Sequence, residues 1–344
     1  MPIDQITRRS FIHRSLSVGI AYSFNDSLAQ EASPTGQILT VRGPIRANSL
    51  GMALPHEHVI CDFIGADQTN PERWNQDEVV GRMLPYLKAL KDTGVSTFFD
   101  CTPAFIGRDP VILKRLSQAT NLNIVTNTGF YGGANDKYVP QEAYEMSTEA
   151  MANHWIEEFE NGIDGTGIRP GFVKIGVDAI ADNAATLSEI DAKIVRAAAQ
   201  TSRKTGLSVT CHTGGGLAGL AALRLFIASG AKASSFIVAH ADNHGESINK
   251  KVADLGAWVS LDAIGRRPLK QHLELIPKLL SHRADRLLLS QDNGWYSVGE
   301  PRGGEIRGYT DLTQNFLPAL RAGGVSQTQI DQLMRLNPRN AFAI

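Results

Sequence analysis

Four histidines, a lysine and an aspartate are spaced so that they could serve one centre. They are His56 and His58, one residue apart, then Lys174, His212, His240 and Asp292. Neutral imidazole and carboxylate are good ligands for zinc, manganese, iron or cobalt. Side chains on a strand repeat every two residues, so His56 and His58 face the same side. Taken singly, each residue has a plainer reading: a core histidine bonded to a carbonyl, a lysine reaching for the rim, an aspartate capping a helix. Arriving in order at the ends of separate strands, they read together as a metal centre. Lys174 is the odd member. It lies in the apolar run GFVKIGV, where a bare ammonium is costly to bury. A neutral lysine amine can add carbon dioxide to give a carbamate, whose two oxygens can bridge two cations. A salt bridge to Asp178 or Asp292 is the alternative. Cys211, beside His212, alternates to the opposite side and reads as a buried, inert thiol.

These residues need elements to carry them. Eight short β-branched or apolar runs recur along the chain, at 54–60, 96–102, 123–129, 171–177, 207–213, 236–241, 258–263 and 287–293. Between them lie helical patterns at 78–93, 109–119, 141–160, 188–204, 217–229, 246–256 and 270–281. Segments 311–322 and 327–336 supply the last helix or helices. In 78–93, Val79, Met83, Leu84, Leu87 and Leu90 form one stripe. Asp109-Pro110 is a helix start. Eight such units favour a (β/α)8 TIM barrel over a doubly wound sheet, with the site at the C-terminal ends of the strands. The Gly- and Arg-rich stretch 293–310 is expected to be a lid or specificity loop. Its Arg302 and Arg307 hint at an anionic substrate group.

Composition narrows the field. The chain has 344 residues, enough for one large barrel core. Lysine and arginine number 34 against 35 aspartates and glutamates, a net charge of −1. Nothing there calls for nucleic acid as a partner. Three scattered cysteines cannot build a disulfide framework. No apolar run is long enough to span a membrane. At the N-terminus, Arg8, Arg9 and Arg14 precede an apolar stretch, 16–24, and then Ser27-Leu28-Ala29. That is the layout of a cleavable signal, and the run 7–12 (TRRSFI) looks like a twin-arginine one. Residues 1–29 are therefore expected to be an export signal to the periplasm, and 30–344 a single barrel domain. An amphipathic surface helix is the other reading of 1–29.

From about Val41 to Phe342 the chain resembles the phosphotriesterase family of the amidohydrolase superfamily. The landmarks are GMALPHEHVI, DCTPAFIGRDP, TNTGFY, GIDGTGIRPGFVKIGVD, VTCHTGGG, IVAHADNH, LLLSQDN and a terminal NPRNAF. The resemblance implies two divalent transition-metal ions per chain, zinc first, with cobalt, manganese or iron as alternatives. His56, His58 and Asp292 would hold the buried ion, and His212 and His240 the more exposed one. Carboxylated Lys174 and a hydroxide would bridge them, the hydroxide attacking a carbonyl or phosphoryl centre and Asp292 taking its proton.

Two departures bear on substrate. Phosphotriesterase-type members pass that proton on through a histidine after strand 7 and an acid after strand 6; the matching positions read as Ala263 and Asn243. Asp242 or His244 are candidates to substitute. Members with lactonase activity carry an arginine where Ala263 stands, and a tyrosine after strand 3 that Tyr131 matches. Tyr131 would bond a substrate oxygen or the hydroxide, or else pack as a rim aromatic. With Trp295 and Tyr296 lining an apolar mouth, the expected activity is hydrolysis of a lactone or other carboxyl ester. The alternatives are organophosphate triester hydrolysis and a non-catalytic, metal-dependent binding protein. The expected partners are a small-molecule ester, lactone or organophosphate substrate and a second copy of the chain in a homodimer.

Overall fold

Strands whose residues are apolar on both faces can be buried only when they run parallel under a layer of helices. That is the arrangement in the computed structural model, which describes residues 36–179 and 185–344. The proposed signal, 1–29, lies outside the described residues. The barrel strands are β1 (Met52–Glu57), β2 (Val95–Asp100), β3 (Asn123–Val125, resumed at Asn127–Thr128), β4 (Phe172–Val177), β5 (Val209–Thr213), β6 (Phe236–Val238), β7 (Trp258–Leu261) and β8 (Leu287–Leu289). Each pairs in parallel with the next. The ring closes above the last ladder residues: Asp292 N–H donates to the His56 carbonyl (3.0 Å) and His58 N–H to the Asn293 carbonyl (2.9 Å). This is the (β/α)8 barrel the run pattern predicts.

Local chemistry sets the helix boundaries. Asn75 caps α1 (Gln76–Asp92), which buries Val79, Met83, Leu87 and Leu90. Asp109 caps α2 (Pro110–Thr120) by accepting from the N–H groups of Val111 and Ile112. The helix expected over 141–160 is two: Gln141–Glu145 and then Thr148–Asn161. Ser147 takes an extended conformation and caps the second by accepting from Ala150 N–H, and that turn breaks the first. No helix among the described residues is long and apolar enough to cross a membrane.

The barrel's interior is divided. Its lower half is apolar, with Phe99 and Phe172 packed on Phe342 of the C-terminal helix and Trp258 and Leu288 beside them. The charged and imidazole side chains of the candidate site stand above that floor. A further apolar cluster fills the layer between strands and helices. The functional groups thus have one outlet, the C-terminal mouth.

Candidate metal centre

The six residues singled out from sequence meet at the mouth and line one cavity of about 430 Å³. They do not all sit on regular strand. His56 is the penultimate residue of β1, and Lys174 lies inside β4. His58, His240 and Asp292 lie just past strand ends, and the last two adopt left-handed backbone (φ 57° and 52°). Donor atoms of His56, His240 and Asp292 come within 4.8 Å of one another, the compact spacing of a metal-binding cluster. His58 Nε2 lies 3.1 Å from Asp292 Oδ1, and the His212 and His240 rings are 4.4 Å apart.

The surroundings prepare these rings as ligands. Asp262, wholly buried just beyond β7, accepts from His56 Nδ1 (2.7 Å) and His240 Nδ1 (2.8 Å). His58 Nδ1 donates to Thr102 Oγ1 (2.9 Å), whose hydroxyl donates to the Ile60 carbonyl. In each case the bond at Nδ1 leaves Nε2 free to serve as a ligand atom. Burial, assisted by the charge of Lys174, lowers His56 to about 4. Burial likewise holds His212 well below its ordinary value, so both imidazoles stay neutral. At His240 burial also lowers, but the Asp262 carboxylate overrides it and makes the ring more basic. Burial by itself would raise Asp292; the bond from His58 and the charge of His56 reverse this and hold it well below the carboxylate range.

Lys174 is 1% exposed. Its Nζ has one polar neighbour among the described residues, His56 Nε2 at 3.2 Å, and the salt bridge to Asp178 or Asp292 is not formed. A buried amine facing an imidazole nitrogen, with no counter-ion, fits an amine converted to a bridging carboxylate better than a structural ammonium. Four imidazoles, two of them held neutral by burial, an ionised aspartate and this lysine together fit a pair of divalent cations.

Several other expectations find their places. The Tyr131 ring packs 4.9 Å from that of His212 and lines the cavity. Gly133 permits this approach, since a Cβ there would lie 2.8 Å from the Tyr131 ring and 3.0 Å from His212. Cys211 is buried behind the wall, its thiol pushed up by desolvation. The other two cysteines, Cys61 and Cys101, line the cavity, which their positions did not signal. Asn243 lines it as well, while Ala263 is buried and is not part of its wall.

Neither substitute for the proton relay reaches the cavity. Asp242 accepts from His272 and from the N–H groups of Asp262 and Ala263, so it braces the end of β7. His244 bonds Thr213 Oγ1, and burial keeps it neutral, at about 4. Tyr296 does not line the mouth; its hydroxyl donates to Glu78 on α1 (2.7 Å). Arg302 faces a separate groove with Glu78, Arg82 and Tyr86. The 293–310 stretch is tied down by Tyr296–Ser297, which pairs with Ile60–Cys61, and by Tyr309 Oη, which donates to the His58 carbonyl (2.6 Å).

Two positions of the candidate site escaped the sequence reading. Asp262 looked like one more residue of a strand end, although WVSLDA places a carboxylate where strands 1 and 6 present histidines. The arginine sought at 263 arrives from Arg266. A turn after β7, with Arg266 and Arg267 N–H groups donating to the Ala263 carbonyl, swings the guanidinium back to within 2.9 Å of Asp292 Oδ2.

Comparison with known proteins agrees with this geometry. Residues 36–342 match the model of the phosphotriesterase family. A phosphotriesterase homology protein of Mycobacterium tuberculosis is 29% identical over 325 residues, covering 89% of this chain and 97% of that protein. An aryldialkylphosphatase of Saccharolobus solfataricus is 26% identical over 320 residues, covering 89% and 99%. A solved structure from work engineering organophosphate hydrolysis on a weak, promiscuous lactonase template superposes with a TM-score of 0.79 at 28% identity, covering 89% of this chain and 99% of that one.

Proposed function

The chain belongs to the phosphotriesterase family, hydrolases of ester and phosphoester bonds, and from that premise we propose that it hydrolyses a lactone or another carboxyl ester. His56, His58 and Asp292 would hold one divalent cation, His212 and His240 the second, and Lys174, as its carbamate, both. Zinc is the first candidate for these ions. When bound, such a pair lowers the pKa of a water between them and polarises a carbonyl or phosphoryl oxygen.

The protein's own groups set the rest. Asp292 is ionised at neutral pH and is the one carboxylate on the cavity wall among the described residues, so it is the acceptor for the proton of the attacking water. Burial pushes the Tyr131 phenol well up. It keeps its proton and can donate to the substrate's carbonyl oxygen. Trp295, Phe63 and Ile106 make the entrance apolar and restrict water.

The observation that carries the ester reading is Arg266 on Asp292. A guanidinium holds the carboxylate in place but cannot accept its proton. The proton must then leave with the product. Opening a lactone leaves an alkoxide on the product chain and cleaving an alkyl ester expels one, and either takes up that proton. An activated phosphotriester releases a stable phenolate, which does not. The test is a panel of lactones, alkyl esters and a triester such as paraoxon on protein loaded with zinc, cobalt or manganese. The best lactone or carboxyl ester should exceed paraoxon in kcat/KM by about tenfold or more, roughly 1.4 kcal/mol of transition-state stabilisation. Preference for the triester would establish the alternative reading, and metal binding without turnover of any compound would leave a binding protein.

A further inference from the structure

Arginines flank one side of the cavity mouth, and a single lysine, Lys137, stands over the Tyr138 ring on the other. On the wall, Asp292 is the one carboxylate among the described residues, and it is already engaged by His58 and Arg266. Cations gather on the β7–β8 side. The guanidinium carbons of Arg266 and Arg307 lie 5.6 and 5.9 Å from the centre of the Trp295 ring. Arg267 donates to the Asn243 side chain on the same rim. Neither Arg267 nor Arg307 has a carboxylate partner among the described residues. Asp136 and Asp178 stand on the opposite side, where Asp178 accepts from Asn135 N–H and abuts Gly214, and Asp62, next to the wall, is taken up by Arg73. A chain with a net charge of −1 has no general excess of cations to scatter there.

The position of Arg307 is also defined. Its N–H donates to the Gly294 carbonyl (3.3 Å) in an isolated bridge, which places residue 307 beside Trp295. Trp295, in left-handed backbone (φ 68°), has its other neighbour in His58, with ring centres 5.8 Å apart. The indole thus neighbours both His58, a proposed metal ligand, and a guanidinium with no carboxylate partner among the described residues.

We infer that the substrate carries an oxyanion, a carboxylate or sulfonate a short chain away from the scissile ester, and that Arg307 selects it across the Trp295 edge. Arginine suits this role because its planar, weakly hydrated fork matches such groups. The arginines on the β7–β8 rim would also steer an anion with its charged end toward them. This inference rests on the carboxyl-ester reading above.

The test uses zinc-loaded full-length protein and three ethyl esters of equal chain length, ending in a carboxylate, a sulfonate or a neutral carboxamide. Both anions should exceed the carboxamide in kcat/KM by about tenfold at low ionic strength, and the advantage should shrink several-fold at high salt. Their order identifies the oxyanion. Arg307→Gln should cut the anion-to-carboxamide ratio about fivefold or more, and Arg307→Glu should bring it below one. If all three esters are hydrolysed with ratios near one, or if the ratio survives Arg307→Glu, the inference is overturned and the ester reading stands. If no ester or lactone is hydrolysed at all, the ester reading itself has failed.

Discussion

Asp262→Asn is the most informative single change, because one carboxylate orients two proposed ligands. In the wild-type protein its oxygens accept from His56 Nδ1 at 2.7 Å and His240 Nδ1 at 2.8 Å, and also from His240 N–H at 3.1 Å. An asparagine has the same shape but only one acceptor oxygen. Whichever histidine meets the amide NH2 must present a bare Nδ1 to it and carry its proton on Nε2, the atom needed for the metal. Loss of such a supporting carboxylate weakens metal binding by about 10–100-fold, or about 1.4–2.7 kcal/mol. The assay is competition against a graded chelator, with bound metal measured by elemental analysis. The variant should lose one equivalent at chelator levels the wild type withstands. Asp254→Asn, which touches only His282 on the surface, is the control and should bind metal normally. Wild-type affinity for both equivalents in Asp262→Asn would refute the claim that Asp262 sets the tautomers of His56 and His240.

Lys174→Ala should lose metal and activity together, and a short carboxylic acid added with the metal should restore part of both; full metal content without rescue would exclude a bridging carbamate. Tyr131→Phe should lower ester kcat/KM by about tenfold or more while changing triester turnover less, since only the ester reading gives the phenol a carbonyl oxygen to bond. For pH dependence, Asp191 is the clearest case. Burial and then the charge of Asp136 raise it to about 7, against a bond from Asp178 N–H that lowers it. Its stabilising proton is fully present below the unfolded value of 3.8 and is lost as pH rises through about 7. Asp191→Asn should therefore gain stability relative to wild type by about 2–3 kcal/mol between about pH 5 and 7.5, read from denaturant midpoints; a gap that does not widen with pH would show that Asp191 is ionised throughout. We propose that residues 1–29 direct export, so Arg8→Lys with Arg9→Lys should keep the protein in the cytoplasm, and mass spectrometry of exported wild-type protein should find an N-terminus near Gln30.

The strand count and the cluster of six were legible in the sequence because both follow from periodic, local rules. Runs such as FVKIGV and VTCHT can be buried only as parallel strands between helices, and a period of two puts His56 beside His58. Residues past the strand ends obey no such period. Left-handed turns at His240 and Asp292 aim those side chains, and a loop turn returns Arg266 to Asp292 from three residues beyond the position where an arginine was sought. Tyr296 and Arg302 sat in the right loop but turned to α1, because Glu78 offered the tyrosine a partner there. Asp262 gained its role only when β1 and β6 brought His56 and His240 to its two oxygens. Residue types and their order along the chain determined which chemistry this protein could assemble. The folded barrel alone decided which carboxylate faces the cavity, which one orients the histidines and which arginine stands over the site, since those choices depend on atoms far apart in sequence meeting within about 3 Å.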